Sequence, residues 1–182
     1  MPSRQEYYDP ELLSMSNLHW LPWLQSQLIK RDIQAYTPEM PRAYAPEWEA
    51  WKGELERYEP DEDVALVGHS CGAGFLVRYL SENKAIRVGR VILVAPWLDP
   101  DGDETDGFFK FSIDSRLIER TDGMMIYNSD NDMGNVHKSV AYLRGQLPDI
   151  GYREFHKYGH FTYDEMGSNE FPELLEELLR KV

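Results

Sequence analysis

Ser70 sits at the centre of Gly68-His69-Ser70-Cys71-Gly72, a G-x-S-x-G sequence. Four apolar residues, Val64-Ala65-Leu66-Val67, precede it and read as a buried strand. The segment Ala73 to Leu80 follows, with Phe75, Leu76, Tyr79 and Leu80 at helical spacing. Strand, tight turn, helix is the context in which a serine is lifted out of a sheet as a nucleophile. A hydroxyl attacks carbonyls only where it is exposed and a base can take its proton. Gly68 and Gly72 are expected to keep side chains out of a crowded turn. The turn also opens a helix, whose unpaired N–H groups and dipole favour a developing negative charge. The backbone N–H of Cys71 is the expected oxyanion donor.

The base must come from elsewhere in the chain. His160, in Gly159-His160-Phe161, follows the last candidate strand. As general base it takes the Ser70 proton and returns it to the leaving group. The acid that orients the imidazole follows the strand Met124 to Tyr127, where Asp130 and Asp132 both stand; Asp132 is favoured. Serine, acid, histidine is a chain order used by hydrolases with this elbow. His69 is the variable position of the elbow, and it, His19, His137 and His156 are each expected to be structural. Cys71 reads as a small buried residue rather than a nucleophile, because it is not at the apex of the turn.

Those groups need a scaffold, and the chain alternates strands with helices. Expected helices are His19 to Lys30, capped by Asn17, then Glu47 to Tyr58, Ile113 to Arg120, Asn135 to Leu147 and Pro172 to Lys181. Expected strands are Ile33 to Tyr36, Val64 to Val67, Val91 to Ala95, Met124 to Tyr127 and Tyr152 to His156. Residues 1 to 17 read as loop. The alternation implies βαβ units and an α/β three-layer sandwich around a mainly parallel sheet of about five strands. Right-handed crossovers then set the strands' C-terminal ends along one edge, where ligands of open α/β sheets bind. Ser70, Asp132 and His160 all fall at that edge.

The 182 residues are enough for one domain, 1–182. A net charge of −13 argues against nucleic acid or an anionic membrane as partner, since those need a basic patch. A single cysteine excludes an internal disulfide and fits a reducing, cytoplasmic setting. Asp99-Pro100-Asp101-Gly102-Asp103 hints at a calcium loop. Glu104 and Lys110 stand where that loop needs glycine and glutamate, so it reads as a solvated acidic loop and no metal site is expected. Trp20, Trp23, Trp48 and Trp51 are spaced as helix faces. Trp97, Phe108 and Phe109 are candidates to line an apolar acyl pocket.

With these motifs in place, the sequence resembles the small single-domain α/β-hydrolases of the YdeN and retinoblastoma-binding-protein type. The resemblance rests on His19-Trp20-Leu21-Pro22-Trp23-Leu24, on the elbow, on Val91 to Pro96, on Ser129-Asp130-Asn131-Asp132 and on Gly159-His160-Phe161. It implies a cofactor-free serine hydrolase acting on small acyl substrates, with esterase-like activity, and Asp132 as the acid of an S-x-x-D motif. It names no protein partner. The family opens with an apolar strand running into a His-Gly loop, ahead of the segment matching residues 3 to 24. No such strand stands here, so the resemblance implies a truncated or mis-started form of a longer protein. The strand would sit between Ile33–Tyr36 and Val64–Val67, and its loop supplies a second oxyanion donor worth about 100- to 1000-fold in rate. The alternative expectation is therefore a catalytically impaired hydrolase-fold protein that binds rather than cleaves.

Overall fold

The computed structural model describes residues 1–102 and 105–180. Asp103 and Glu104 of the acidic loop, and Lys181 at the end of the last expected helix, lie outside the described residues. The chain divides into two compact units, one of Met1–Tyr58 with the stretch from Thr162, the other Glu59–Phe161.

In the first unit, α1 (Arg4–Tyr7) stands where loop was expected. Its signal is a capping box: the Ser3 hydroxyl accepts from the Glu6 amide, and the Glu6 carboxylate accepts from the Ser3 amide. Helix α2 (Leu21–Ile29) starts later than Asn17 would have set it. His19 has φ 58°, which no right-handed helix tolerates, and the Asn17 side-chain amide donates back to Ser14 Oγ. Pro22 occupies the first turn, where its missing N–H costs nothing. Helix α3 (Trp48–Glu56) buries Trp51 and Leu55, and the Trp51 indole donates to the Pro41 carbonyl at 2.8 Å. Ile33 to Tyr36 is not a strand. It lies between Asp32, at φ 62°, and Pro38; Ile33 and Tyr36 are exposed, and the Ala35 carbonyl accepts from the Gln25 side chain.

The second unit carries a four-stranded parallel sheet in the order β1-β2-β3-β4, one strand fewer than expected. β1 (Leu66–His69) leads directly into Ser70 and into α4 (Cys71–Glu82). It begins two residues later than the apolar run, and Ala65 is exposed. β2 (Val91–Val94) is buried on both faces, as a continuous Val-Ile-Leu-Val run requires. β3 (Met124–Ser129) follows. Among the described residues between them, Leu117–Arg120 forms a 3-10 turn, and Asp114 accepts from the Arg116 amide and the Arg120 guanidinium. α5 (Gly134–Gln146) and β4 (Gly151–Phe155) complete the unit. α4 packs on β1 and β2, and α5 on β3.

Beyond β4 the chain returns to the first unit with α6 (Tyr163–Met166) and α7 (Pro172–Leu179). There Trp20, fully buried, meets Phe171 edge to face. Among the described residues no helix is long and apolar enough to cross a membrane.

Candidate active site

The turn after β1 is strained at its apex, Ser70. Ser70 has φ 54° and ψ −122°, a conformation that costs a non-glycine residue on the order of 1–3 kcal/mol. The strain is held by bonds on both sides. The Ser70 amide donates to the Val94 carbonyl at 2.9 Å, and the Ser70 carbonyl accepts from Ala73, Gly74 and Trp97. Gly68 is required here, because a Cβ on it would stand 2.6 Å from the Ala73 Cα. Gly72 is not: a Cβ there meets nothing within 4 Å. The close approach that the sequence assigned to Gly72 belongs to Gly74, where a Cβ would lie 2.2 Å from the Trp97 carbonyl oxygen.

The structure brings Ser70, His160 and Asp132 together from the ends of three strands. The Ser70 Oγ lies 2.8 Å from His160 Nε2. His160 Nδ1 lies 3.0 and 3.2 Å from the two oxygens of Asp132. The Asp132 side chain is fully buried and also accepts the Met133 amide at 2.6 Å. With Nδ1 facing a carboxylate, the neutral ring carries its proton there, leaving Nε2 as an acceptor toward the serine hydroxyl. Asp130 is placed otherwise. It meets His156 Nδ1 at 2.5 Å and the Lys157 amide at 2.9 Å. That amide, and then His156, hold its carboxyl below the usual carboxylate range.

Sequence reasoning missed how the His160 loop is held. Lys157, Gly159 and Phe161 all have positive φ, at 61°, 52° and 56°. Side chains at the end of β3 brace that backbone in order. Asp130 accepts the Lys157 amide, Ser129 Oγ the Tyr158 amide at 2.9 Å, and Asn131 Oδ1 the Gly159 amide at 2.9 Å. The Ser129 hydroxyl donates to Asn131 Oδ1 at 2.8 Å, and His137 Nε2 donates to the Ser129 carbonyl at 2.9 Å. The available signal was the run Ser-Asp-Asn-Asp, residue types whose short side chains bond backbone groups. Behind the loop, Phe161 is fully buried against Phe155 and Tyr158.

Cys71 opens α4, so its N–H is one of those without an intrahelical partner. Its thiol is buried, and burial pushes its pKa up to about 12. Trp97 and Phe108 are buried, with Phe108 stacked on Phe75. Phe109 meets both Trp97 and Phe108 edge to face. It lines a cavity of about 340 Å³ with Leu98, Phe111, Ile113 and Tyr142 and with the polar Lys138 and Ser139; Trp97 and Phe108, expected to line a pocket, are not part of that lining. In the acidic loop, Asp99 accepts from the amides of Gly102 and Thr105 and from the Thr105 hydroxyl, so its carboxylate serves the turn. Among the described residues no cluster of His, Cys, Asp or Glu could hold a metal ion.

Comparison with known proteins covers nearly the whole chain. The model of the serine hydrolase family matches residues 10–180. The hydrolase YdeN of Bacillus subtilis is 30% identical over 170 residues, which span 90% of this chain and 88% of that one. The crystal structure of the B. subtilis ydeN gene product superposes with a TM-score of 0.78 at 28% identity, covering 90% of each chain. A YdeN-like hydrolase from Pectobacterium atrosepticum gives 0.61 at 19% identity, covering 89% of this chain and 81% of that one. The fold is that of the α/β-hydrolases.

Proposed function

The chain belongs to the serine hydrolase family, and from that premise we propose that it cleaves small esters or related acyl compounds through an acyl-enzyme on Ser70. The observation that carries the reading is the unbroken line from Ser70 Oγ to His160 Nε2 and from His160 Nδ1 to the buried Asp132. In this reading His160 takes the Ser70 proton as the hydroxyl oxygen bonds to the acyl carbon. It then gives that proton to the leaving group as the acyl–oxygen bond breaks. A water then attacks the acyl carbon as it gives a proton to His160, and His160 passes that proton to Ser70 Oγ as the bond to the acyl carbon breaks and the acid leaves. Asp132 holds the ring and stabilises its charged form, because a carboxylate in a dry site has no competing solvent. The Cys71 N–H, at the start of α4, faces the developing oxyanion. Side chains and water suffice for every step, and the cavity lined by Phe109 is the acyl site in this reading, since Phe109 meets Trp97, whose amide donates to the Ser70 carbonyl. The family match over residues 10–180 supports reading the chain, 1–182, as a single hydrolase domain.

An alkyl fluorophosphonate tests the proposal. The wild-type protein is expected to be labelled on Ser70, and Ser70→Ala to abolish labelling. A folded wild-type sample that takes no label, and hydrolyses no activated ester, returns the protein to the binding role.

A further inference from the structure

His69, the residue before the serine, is tied to the proposed base. Its Nε2 lies 2.7 Å from the His160 backbone carbonyl, and the two ring centroids are 5.0 Å apart at an interplanar angle of 40°. A carbonyl only accepts, so His69 carries a proton on Nε2. We propose that His69 is a positioning residue for His160, setting the distance between the base and the nucleophile through this bond.

This positioning is a matter of geometry and rests on the serine hydrolase reading. His160 is followed by Phe161, whose φ of 56° a non-glycine residue rarely adopts, so the loop at that point needs holding. The braces from Ser129, Asp130 and Asn131 reach the amides of residues 158, 157 and 159, and all come from the β3 end. They fix the loop to the acid. His69 grips the other side of residue 160, its carbonyl, and does so from the strand that bears the nucleophile. The bond closes a small ring running from the His69 side chain through the His160 backbone and imidazole to Ser70 Oγ, and back along one peptide link to His69. A closed ring of that size leaves little play in the distance between Ser70 Oγ and His160 Nε2. A shift of about 1 Å in such a pair is enough to cost on the order of 100-fold in rate.

Three substitutions separate the bond from mere bulk. His69→Leu removes the donor. His69→Asn keeps a polar amide whose N–H falls one bond short. His69→Gln places an N–H as many bonds from Cα as His69 Nε2. The readouts are the rate of Ser70 labelling by a fluorophosphonate, the thermal midpoint of each variant, and the low-field proton resonance of His160 Nδ1–H. His69→Leu and His69→Asn are expected to label at least about tenfold more slowly than wild type and to broaden that resonance. His69→Gln is expected to label within about threefold of wild type, with a sharp resonance. Wild-type rates in folded His69→Asn, or a Gln variant as slow as Asn, overturn the positioning role while leaving the hydrolase reading in place. If His69→Leu does not fold, the Asn and Gln pair decides. A wild-type protein that takes no label at all removes the reading itself, and this inference with it.

Discussion

The side chain of Asn131 accepts the amide of Gly159, the residue before His160, at 2.9 Å. The next residue on the same loop, Asp132, accepts from the His160 ring. Neighbouring residues thus hold the backbone and the imidazole of one functional group, so the loop after β3 acts as a mould for the loop after β4. Asn131→Leu removes the acceptor and leaves the Gly159 amide unpaired. The expected result is a fall in ester turnover and fluorophosphonate labelling of about 10- to 100-fold, with KM for a small ester little changed. Asn131→Asp keeps the acceptor and is expected to retain most activity. Hydrogen exchange at the Gly159 amide checks the cause: it should quicken in the Leu variant alone.

The two aspartates of the same loop divide into different roles. Asp132 is buried against His160, whereas Asp130 braces Lys157 and faces the exposed His156. Asp132→Asn keeps the shape but reverses the tautomer preference of the ring, and a loss of about 10⁴ in kcat is expected. Asp130→Asn should cost less than about tenfold, since its side-chain oxygen still accepts the Lys157 amide. Equal losses in the two variants, measured as kcat on an activated ester, would assign the acid wrongly.

The glycines of the elbow helix give a test that needs no substrate. A Cβ at Gly74 meets the Trp97 carbonyl at 2.2 Å and the Phe109 ring at 2.8 Å, while one at Gly72 meets nothing. Gly74→Ala therefore has to push β2's extension or Phe109 away, and should destabilise the fold by about 1–3 kcal/mol. Gly72→Ala lies in the first turn of α4 with open space and a better helix former, so its stability should stay within about 1 kcal/mol of wild type. Urea unfolding of the two variants decides between them.

That contrast marks how far the sequence carried. Ser70 was legible because its signals are local: an apolar run, a G-x-S-x-G and a helical spacing lie within about twenty residues. His160 and Asp132 were legible because parallel strands bring their C-terminal ends to one edge, whatever the separation in sequence. Gly72 and Gly74 were not separable, since the motif names the first and only the path of residues 95–97 singles out the second. Nothing local marks Ser129 and Asn131 as braces, because the backbone they hold is 28 or more residues away. Ile33 to Tyr36 had the composition of a strand. Composition does not reveal that its carbonyl at Ala35 is taken by a glutamine side chain.

Phe109 is the aromatic candidate that both lines a cavity and touches Trp97, whose amide bonds the Ser70 carbonyl. Phe109→Leu opens the cavity while keeping an apolar wall. The ratio of kcat/KM for an octanoyl over an acetyl p-nitrophenyl ester is expected to rise about tenfold, in line with what a few methylenes contribute in an apolar pocket. An unchanged ratio would place the acyl group elsewhere.

Cys71 stands beside Ser70, yet its chemistry should be silent. Burial favours the neutral thiol, raising its pKa from 9.0 to about 12. Only the thiolate attacks alkylating reagents, so the native protein should resist iodoacetamide at pH 8 and react once unfolded in urea. The sign of the linkage is fixed by the same shift. The folded state binds the thiol proton more tightly than the unfolded chain, so this contribution to stability is fully present below pH 9.0 and is lost as the pH rises through the interval up to about 12. Cys71→Ala removes the titrating group and keeps the backbone N–H proposed for the oxyanion. The variant should label with fluorophosphonate at close to the wild-type rate, and its denaturant midpoint should fall less than that of wild type between pH 9 and 11. A large loss of labelling in Cys71→Ala would assign the thiol a part in the chemistry that its burial argues against.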